Sequence, residues 1–254
     1  MSSLFIAASG MINQQINVDM ISNNLANVNT SGFKKSEISF RELAYKDIAI
    51  NESQTNQVGL GSSVSSVGKI FTQGTIKETG NALDLAIEGD GFFKVILPDG
   101  TFAYTRDGSF QFDALGNLVT KNGYKVAPGI TVAGAFADIS ISDKGIISLT
   151  EVDVNGVETI RVAGTIVLSR FTNPGGLESL AGNLYGETVA SGLAQDSPAD
   201  GSAGTVKQGY LEMGNINVIE EMVNLIAAQR AYEINSKAIQ ASDDMMGMAN
   251  GIRK

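Results

Sequence analysis

The chain contains no cysteine and no histidine. These absences remove thiol nucleophiles, Ser-His-Asp triads, and the zinc and haem sites built on thiolate or imidazole ligands. Any catalysis would have to run on carboxylates, lysine, tyrosine or serine. Without cysteine there is also no disulfide framework, and no thiol from which to read the redox compartment. Proline is scarce, at 4 residues against 29 glycines, a balance that suits many tight turns. Basic residues are few: 18 Lys and Arg face 27 Asp and Glu, for a net charge of −9, and no basic cluster interrupts that field. Such a surface repels nucleic acid and anionic lipid, so neither is an expected partner. No apolar run is long enough to span a bilayer, and membrane insertion is not expected. The first lysine is Lys34, so the segment before it lacks the basic region of a secretory signal; if the protein leaves the cytoplasm, the expected route is one that does not remove such a signal.

What remains is a globular composition, 43% apolar and 18% charged over 254 residues, enough for one large domain or two modest ones. Three kinds of sequence follow one another. Residues 3–28 carry a seven-residue period, with Leu4, Met11, Val18 and Leu25 in one position and Ala7, Ile21 and Val28 in its companion, broken by Gln14. This is an apolar stripe of coiled-coil type. Asp19 is the single charge in the first 33 residues. A solvent-facing helix normally carries far more, so this one is expected to be surrounded on most sides. Gly32 is its expected stop or turn. Residues 217–249 repeat the period through Val218, Leu225, Tyr232, Ile239 and Met246, widened by Ile219, Met222, Ile226, Ala228, Ala238 and Met245. Asn217 with Glu220 reads as an N-cap, and Glu233 with Lys237 as an i,i+4 pair.

Between the two ends, hairpin punctuation recurs at Asp90-Gly91, Asp99-Gly100, Asp107-Gly108, Asn122-Gly123 and Asn155-Gly156, beside β-prone runs such as FFKVIL, ITVAG and RVAGTIVLSRF. The expected fold class is therefore α+β: long terminal helices pairing as a coiled-coil-like tube segment, around an antiparallel β-rich central domain. Residues 1–33 and 215–254 would form the helical domain. Residues 34–79 would be an extended connection, loop-like over 46–75; residues 80–190 the β domain; and residues 191–214 a connector returning to the C-terminal helix.

No constellation points to catalysis, a cofactor or a metal. Asp84, Glu88, Asp90, Asp99, Asp107 and Asp113 match no Ca²⁺ loop, and most stand where turns favour Asp for backbone reasons. The candidate functional residues are instead those of subunit packing: the two stripes, and Asn23, Asn24 and Asn27, which could exchange hydrogen bonds between neighbours or simply mark a fraying helix end. Gly10, with Ala7, Ala8 and Ser9, makes a small-residue patch fit for close helix approach. Tyr232 reads as packing with a hydroxyl partner. Arg106 and Arg230 read equally as interface anchors or locally paired residues. A single seam buries too little to hold so long a helix pair alone. Stacking many copies would complete it, and copies related by a non-closing rotation form a helical filament. A β-rich adhesin with coiled-coil ends is the rival reading from another class.

Three long segments carry a resemblance. ISNNLANVNTSGFKKSEISF (21–40), NALDLAIEGDGFFKV (81–95) with YTRDGSFQFDALGNLVTKNGYKV (104–126), and QGYLEMGNINVIEEMVNLIAAQRAYEINSKAIQASDDMM (208–246) resemble, in collinear order, the signatures of the flagellar rod, hook and hook-associated proteins. The last is closest to the distal rod branch. The resemblance implies terminal helices that line an inner tube, β domains that form its outer wall, and export through the flagellar type III apparatus. It implies a periplasm-spanning drive shaft of the basal body that carries torque from motor to hook. The implied partners are further copies of itself, proximal rod proteins, the hook protein, the surrounding P- and L-ring proteins and the export apparatus. A proximal rod or hook-like paralogue is the alternative within the family, since the 46–75 segment is shorter than in some distal members.

Overall fold

A computed structural model of the chain describes residues 2–51, 54–132, 137–152, 158–199 and 203–251. The chain divides into two compact units. The first is drawn from the N-terminal 26 residues, Ser36–Ile70 and the C-terminal segment from Ile216; the second comprises Asn27–Lys35 and Phe71–Asn215.

The first unit holds both long helices, α1 (Ser2–Ala26) and α2 (Val218–Gly251). α1 ends before the Asn27-Val28 pair that closes its sequence period. The N-terminus of α2 is capped as expected: the Asn217 side-chain oxygen accepts from the Ile219 N–H at 3.1 Å and the Glu220 N–H at 3.5 Å. Glu233 pairs with Arg230, three residues before it, at 3.1 Å, rather than with Lys237. The strands Ser36–Glu42 and Ser62–Lys69 pair antiparallel, as do Tyr45–Asn51 and Gln54–Gly59. So most of the stretch read as extended or loop-like is paired β structure. Ser36–Glu42 and Ser62–Lys69 are half-buried or exposed along their length. They need no apolar alternation, which removes the sequence signal for a strand.

The second unit is the antiparallel β-rich region. Its central strand, Phe92–Ile96, pairs with Phe102–Thr105, Lys125–Val126 and Val167–Arg170. Asp99-Gly100 turns the first of these hairpins, and Asn122-Gly123 joins Leu118–Thr120 to Lys125–Val126. Asn155-Gly156 and part of the ITVAG run lie outside the described residues. Successive side chains of a strand point to opposite faces. Accordingly Phe93 enters one core with Leu85, Ile87, Phe110, Leu118, Ile147, Leu149, Ile166, Leu168 and Val206, while Phe92 enters another with Tyr104, Phe171, Leu177 and Tyr185. The sheet is buried on both faces, so its strands read as continuous apolar runs. Asp99, Asp107 and Asp113 accept hydrogen bonds from residues two or four positions on, and Asp84 accepts from the Thr79 hydroxyl and the Asn81 amide just before it. These carboxylates thus serve backbone geometry.

Three passages of chain meet inside this unit around one buried carboxylate. Glu212 accepts from the Lys34 ammonium at 2.6 Å, the Gly74 N–H at 2.8 Å and the Arg106 guanidinium at 3.2 Å. Lys34 and Glu212 are fully buried and Arg106 nearly so. Lys34 also donates to the Thr72 carbonyl, and Arg106 to the Gly89 carbonyl. Asn215 fastens the same passages again, accepting from the Lys35 N–H at 2.7 Å and donating to Thr72. Burial pulls both cations below their ordinary pKa values, against the upward pull of Glu212. Gly32 is held beside them. Its N–H donates to the Glu212 carbonyl, its φ is +67°, and a Cβ there would overlap the Asp107 backbone, so only glycine fits. Breaking a buried pair by removing one partner costs about 3–5 kcal/mol. Glu212→Gln should lower unfolding stability by that amount in urea denaturation followed by near-ultraviolet circular dichroism; a loss below about 1 kcal/mol would contradict this role.

Candidate assembly interface

The helices run antiparallel. Gly10 lies beside Asn235 and Asn24 beside Glu221, fourteen residues on in α1 and fourteen back in α2. The packed face of α1 carries Ala7, Ile21 and Asn24, all buried, with Gly10 and Asn17 half-buried. In α2 it carries Glu221 and Ala228, buried, with Leu225, Ala231, Asn235, Ile239 and Ser242 half-buried. The chain's own seam is therefore made largely of small and polar side chains. Small residues let backbones approach closely, and buried polar ones are tolerated where they are bonded.

Asn24 shows the second condition met. Its amide donates to the Ser36 carbonyl and accepts from the Ser36 N–H, each at 3.0 Å, and also donates to Glu221 at 3.4 Å. Asn13, buried on α1, donates to the Ser62 carbonyl and hydroxyl at 2.8 and 2.9 Å. Both asparagines act within the chain, and Asn24 is not free to bridge copies. Asn23 is exposed; Asn27 accepts from the Thr30 hydroxyl in the turn that follows α1.

The stripes read from the sequence split between this seam and the outer surface. Ile21 is buried; Leu4, Met11, Val18, Leu25, Leu225 and Ile239 are half-buried, as is Val28 in the following turn. Val218, Met222, Ile226, Tyr232 and Met246 are exposed. Sequence reasoning missed part of this outward surface: Phe5, Ile12 and Ile16 stand exposed on α1. The spacing of seven between Phe5 and Ile12 was the available signal. On α2, Val223, Ile234 and Met248 were likewise missed, while Ile219 and Met245, which widened the stripe in sequence, are exposed, with Ile219 75% and Ile226 57% exposed. Both helices thus show water phenylalanine, isoleucine and methionine side chains of the kind that mark an interaction site where they gather. Lys34 and Glu212 were also missed as structural residues; their signal was a lone lysine closing a long stretch with one charge. Among the described residues, no three acidic groups stand close enough to hold a metal ion.

Comparison with known proteins matches the chain to three sequence families in succession. Residues 4–34 match "Flagella basal body rod protein", residues 86–149 "Flagellar hook protein FlgE/F/G D1 domain", and residues 207–252 "Flagellar basal body rod FlgEFG protein C-terminal". Over its whole length the chain is 47% identical to the flagellar basal-body rod protein FlgG of Borreliella burgdorferi, of which it covers 99%. It is 42% identical to that of Caulobacter vibrioides, with both chains fully covered, and 40% identical to that of Bacillus subtilis, with 96% of each covered. The chain belongs to the flagellar basal-body rod protein family. It is a structural subunit of the basal body and not an enzyme. The rod family's terminal signatures fall on the two helices, and the match shared with hook proteins falls on the antiparallel β unit.

The seam of this rod protein turns on Gly10. A Cβ there would lie 2.9 Å from the Asn235 amide nitrogen, the movable end of a side chain. Gly10→Ala should therefore be near neutral in thermal unfolding, since about 0.5–1 kcal/mol of helix propensity offsets the displaced amide. Gly10→Leu should separate the helices and accelerate amide exchange over residues 5–25. Unchanged exchange in Gly10→Leu would show that the close approach is not required.

Proposed function

We propose that the chain is a subunit of the flagellar distal rod that works by lateral and axial self-packing of its terminal helices into a helical tube. The observation that carries this reading is the outward apolar surface of α1 and α2, with Ile226 and Ile219 on one helix and Phe5 and Ile12 on the other. Water disfavours such a surface at roughly 25 cal/mol per Å² of apolar area, and identical copies offer the complement. The residues assigned to subunit packing are Leu4, Met11, Val18, Asn23, Leu25, Asn27, Val28, Val218, Met222, Leu225, Ile226, Tyr232, Ile239 and Met246; Ile21, buried within the single chain, supports them only from inside. Asn24 belongs with them indirectly, because it fixes α1 to its own chain.

Under this reading the helices form a coiled-coil-like inner tube and the β unit an outer wall. Torque passes along the shaft as contact forces between rigidly packed subunits, from proximal rod to hook, across the periplasm and within the P and L rings. Export through the flagellar apparatus would deliver each copy without a cleaved signal. High identity to FlgG proteins, against 30% to the hook-basal body complex protein FlhP of Bacillus subtilis, supports the distal assignment over a paralogous one.

Ile226→Asp separates assembly from folding, since the side chain is more than half exposed in the single chain. Its thermal unfolding should match the unsubstituted protein, because exposed substitutions usually stay within about 0.5 kcal/mol. Basal bodies from cells carrying it should lack a distal rod in electron micrographs, because assembly would bury an unpaired charge. Leu25→Asp should also block the distal rod, with some loss of thermal stability because Leu25 is half-buried in the single chain. Rods of normal length in either strain would overturn the proposal.

A further inference from the structure

The group around Glu212 is not electrically balanced: it sets one carboxylate against two cations, Lys34 and Arg106, in the interior of the β-rich unit. Arg106 is 97% buried, its Nε has no hydrogen-bond partner, and its guanidinium lies 5.2 Å from the centre of the Phe92 ring. The same arginine lines a cavity of about 280 Å³. Phe71, Phe92 and Phe171 wall that cavity, and Asp90 and Arg170 stand in its lining with opposite charges. Counting all five ionised groups, the site retains one surplus positive charge. The protein as a whole carries −9. A concave site with aromatic walls and a surplus cation below a low-dielectric surface favours an anion with an apolar stem. Its walls do not suit a bare, strongly hydrated inorganic ion.

We infer that this cavity is a carboxylate-binding site, and that its occupant in the rod is an acidic side chain of a neighbouring copy. Arg170 meets the carboxylate at the opening, and the Lys34–Arg106 surplus supplies attraction from beneath. The methylene stem of a glutamate lies against the phenylalanines. Such a contact is weak by itself. In a polymer the partner is already held nearby, so a weak site acts at high effective concentration. The identity of the occupant rests on the rod reading above; the existence of the site does not.

The test uses the full-length monomer labelled with ¹⁵N. Sodium acetate should produce a saturable shift of the Arg106 Nε–Hε signal, and sodium chloride at equal ionic strength should not. Sodium phosphate should shift it far less, since that ion has no apolar stem. Arg170→Gln should weaken the acetate response about tenfold, the scale of one lost charge-assisted hydrogen bond. No saturable shift, or an equal one in chloride, would overturn the site. In cells, Arg170→Glu should leave the exported protein's level and melting temperature unchanged while reducing completed distal rods. If acetate binds but Arg170→Glu rods assemble normally, a neighbouring copy is not the occupant. The rod reading itself fails separately, through normal assembly of Ile226→Asp.

Discussion

The buried pairing of Glu212 with Lys34 and Arg106 is the constraint on which the architecture of the β-rich unit rests. Besides its entry near residue 27, the polypeptide enters or leaves that unit near residues 35, 71 and 215. All three passages are tied within a few residues of those points: Lys34 and Thr72 by one ammonium, Gly74 and Arg106 by one carboxylate, and Lys35 and Thr72 by Asn215. An ion pair in a dry interior contributes little net stability compared with an apolar replacement, because desolvation cancels much of the attraction. What it supplies is geometry. A carboxylate holding three donors at fixed angles sets the position of three backbones in a way that interchangeable apolar side chains do not. In a shaft that carries torque, fixed exits from a rigid unit matter more than a further increment of stability.

The helical unit obeys a different logic. Its internal seam uses small and polar residues together with a few large ones, Ile21, Leu225 and Ile239, and many of its large apolar residues are left on the outside. This reverses the usual amphipathic division and explains why each helix looks apolar on more than one side. Asparagines 13 and 24 make the arrangement possible. By bonding to Ser62 and Ser36, they attach α1 to the adjoining strands without using the large side chains. Polar and small residues thus hold the helical unit in shape, leaving large apolar side chains on its surface.

Much of this was legible in the amino-acid order. Period-seven spacing in residues 3–28 and 217–249 marked both terminal helices, because periodicity is a local property that needs no partner to be read. Asp99-Gly100 and Asn122-Gly123 marked hairpin turns of the β unit for the same reason, since a positive φ is demanded by the turn itself; Asp90-Gly91 and Asp107-Gly108 join strands that do not pair with each other, and Gly108 has no positive φ. Collinear motifs determined the family. What only the tertiary structure decided was which side of each stripe faces inward. Ala7 and Ile226 carry equally good stripe positions on paper, yet one is buried and the other exposed. The difference arises because Gly10 and Asn24 set how closely and at what rotation the helices meet. Likewise nothing in the order of residues places Lys34 beside Glu212, which are 178 positions apart. Their meeting depends on the whole β unit folding between them, and the strands Ser36–Glu42 and Ser62–Lys69 escaped notice because a ladder with no buried face is held by backbone pairing that leaves no alternation in the side chains.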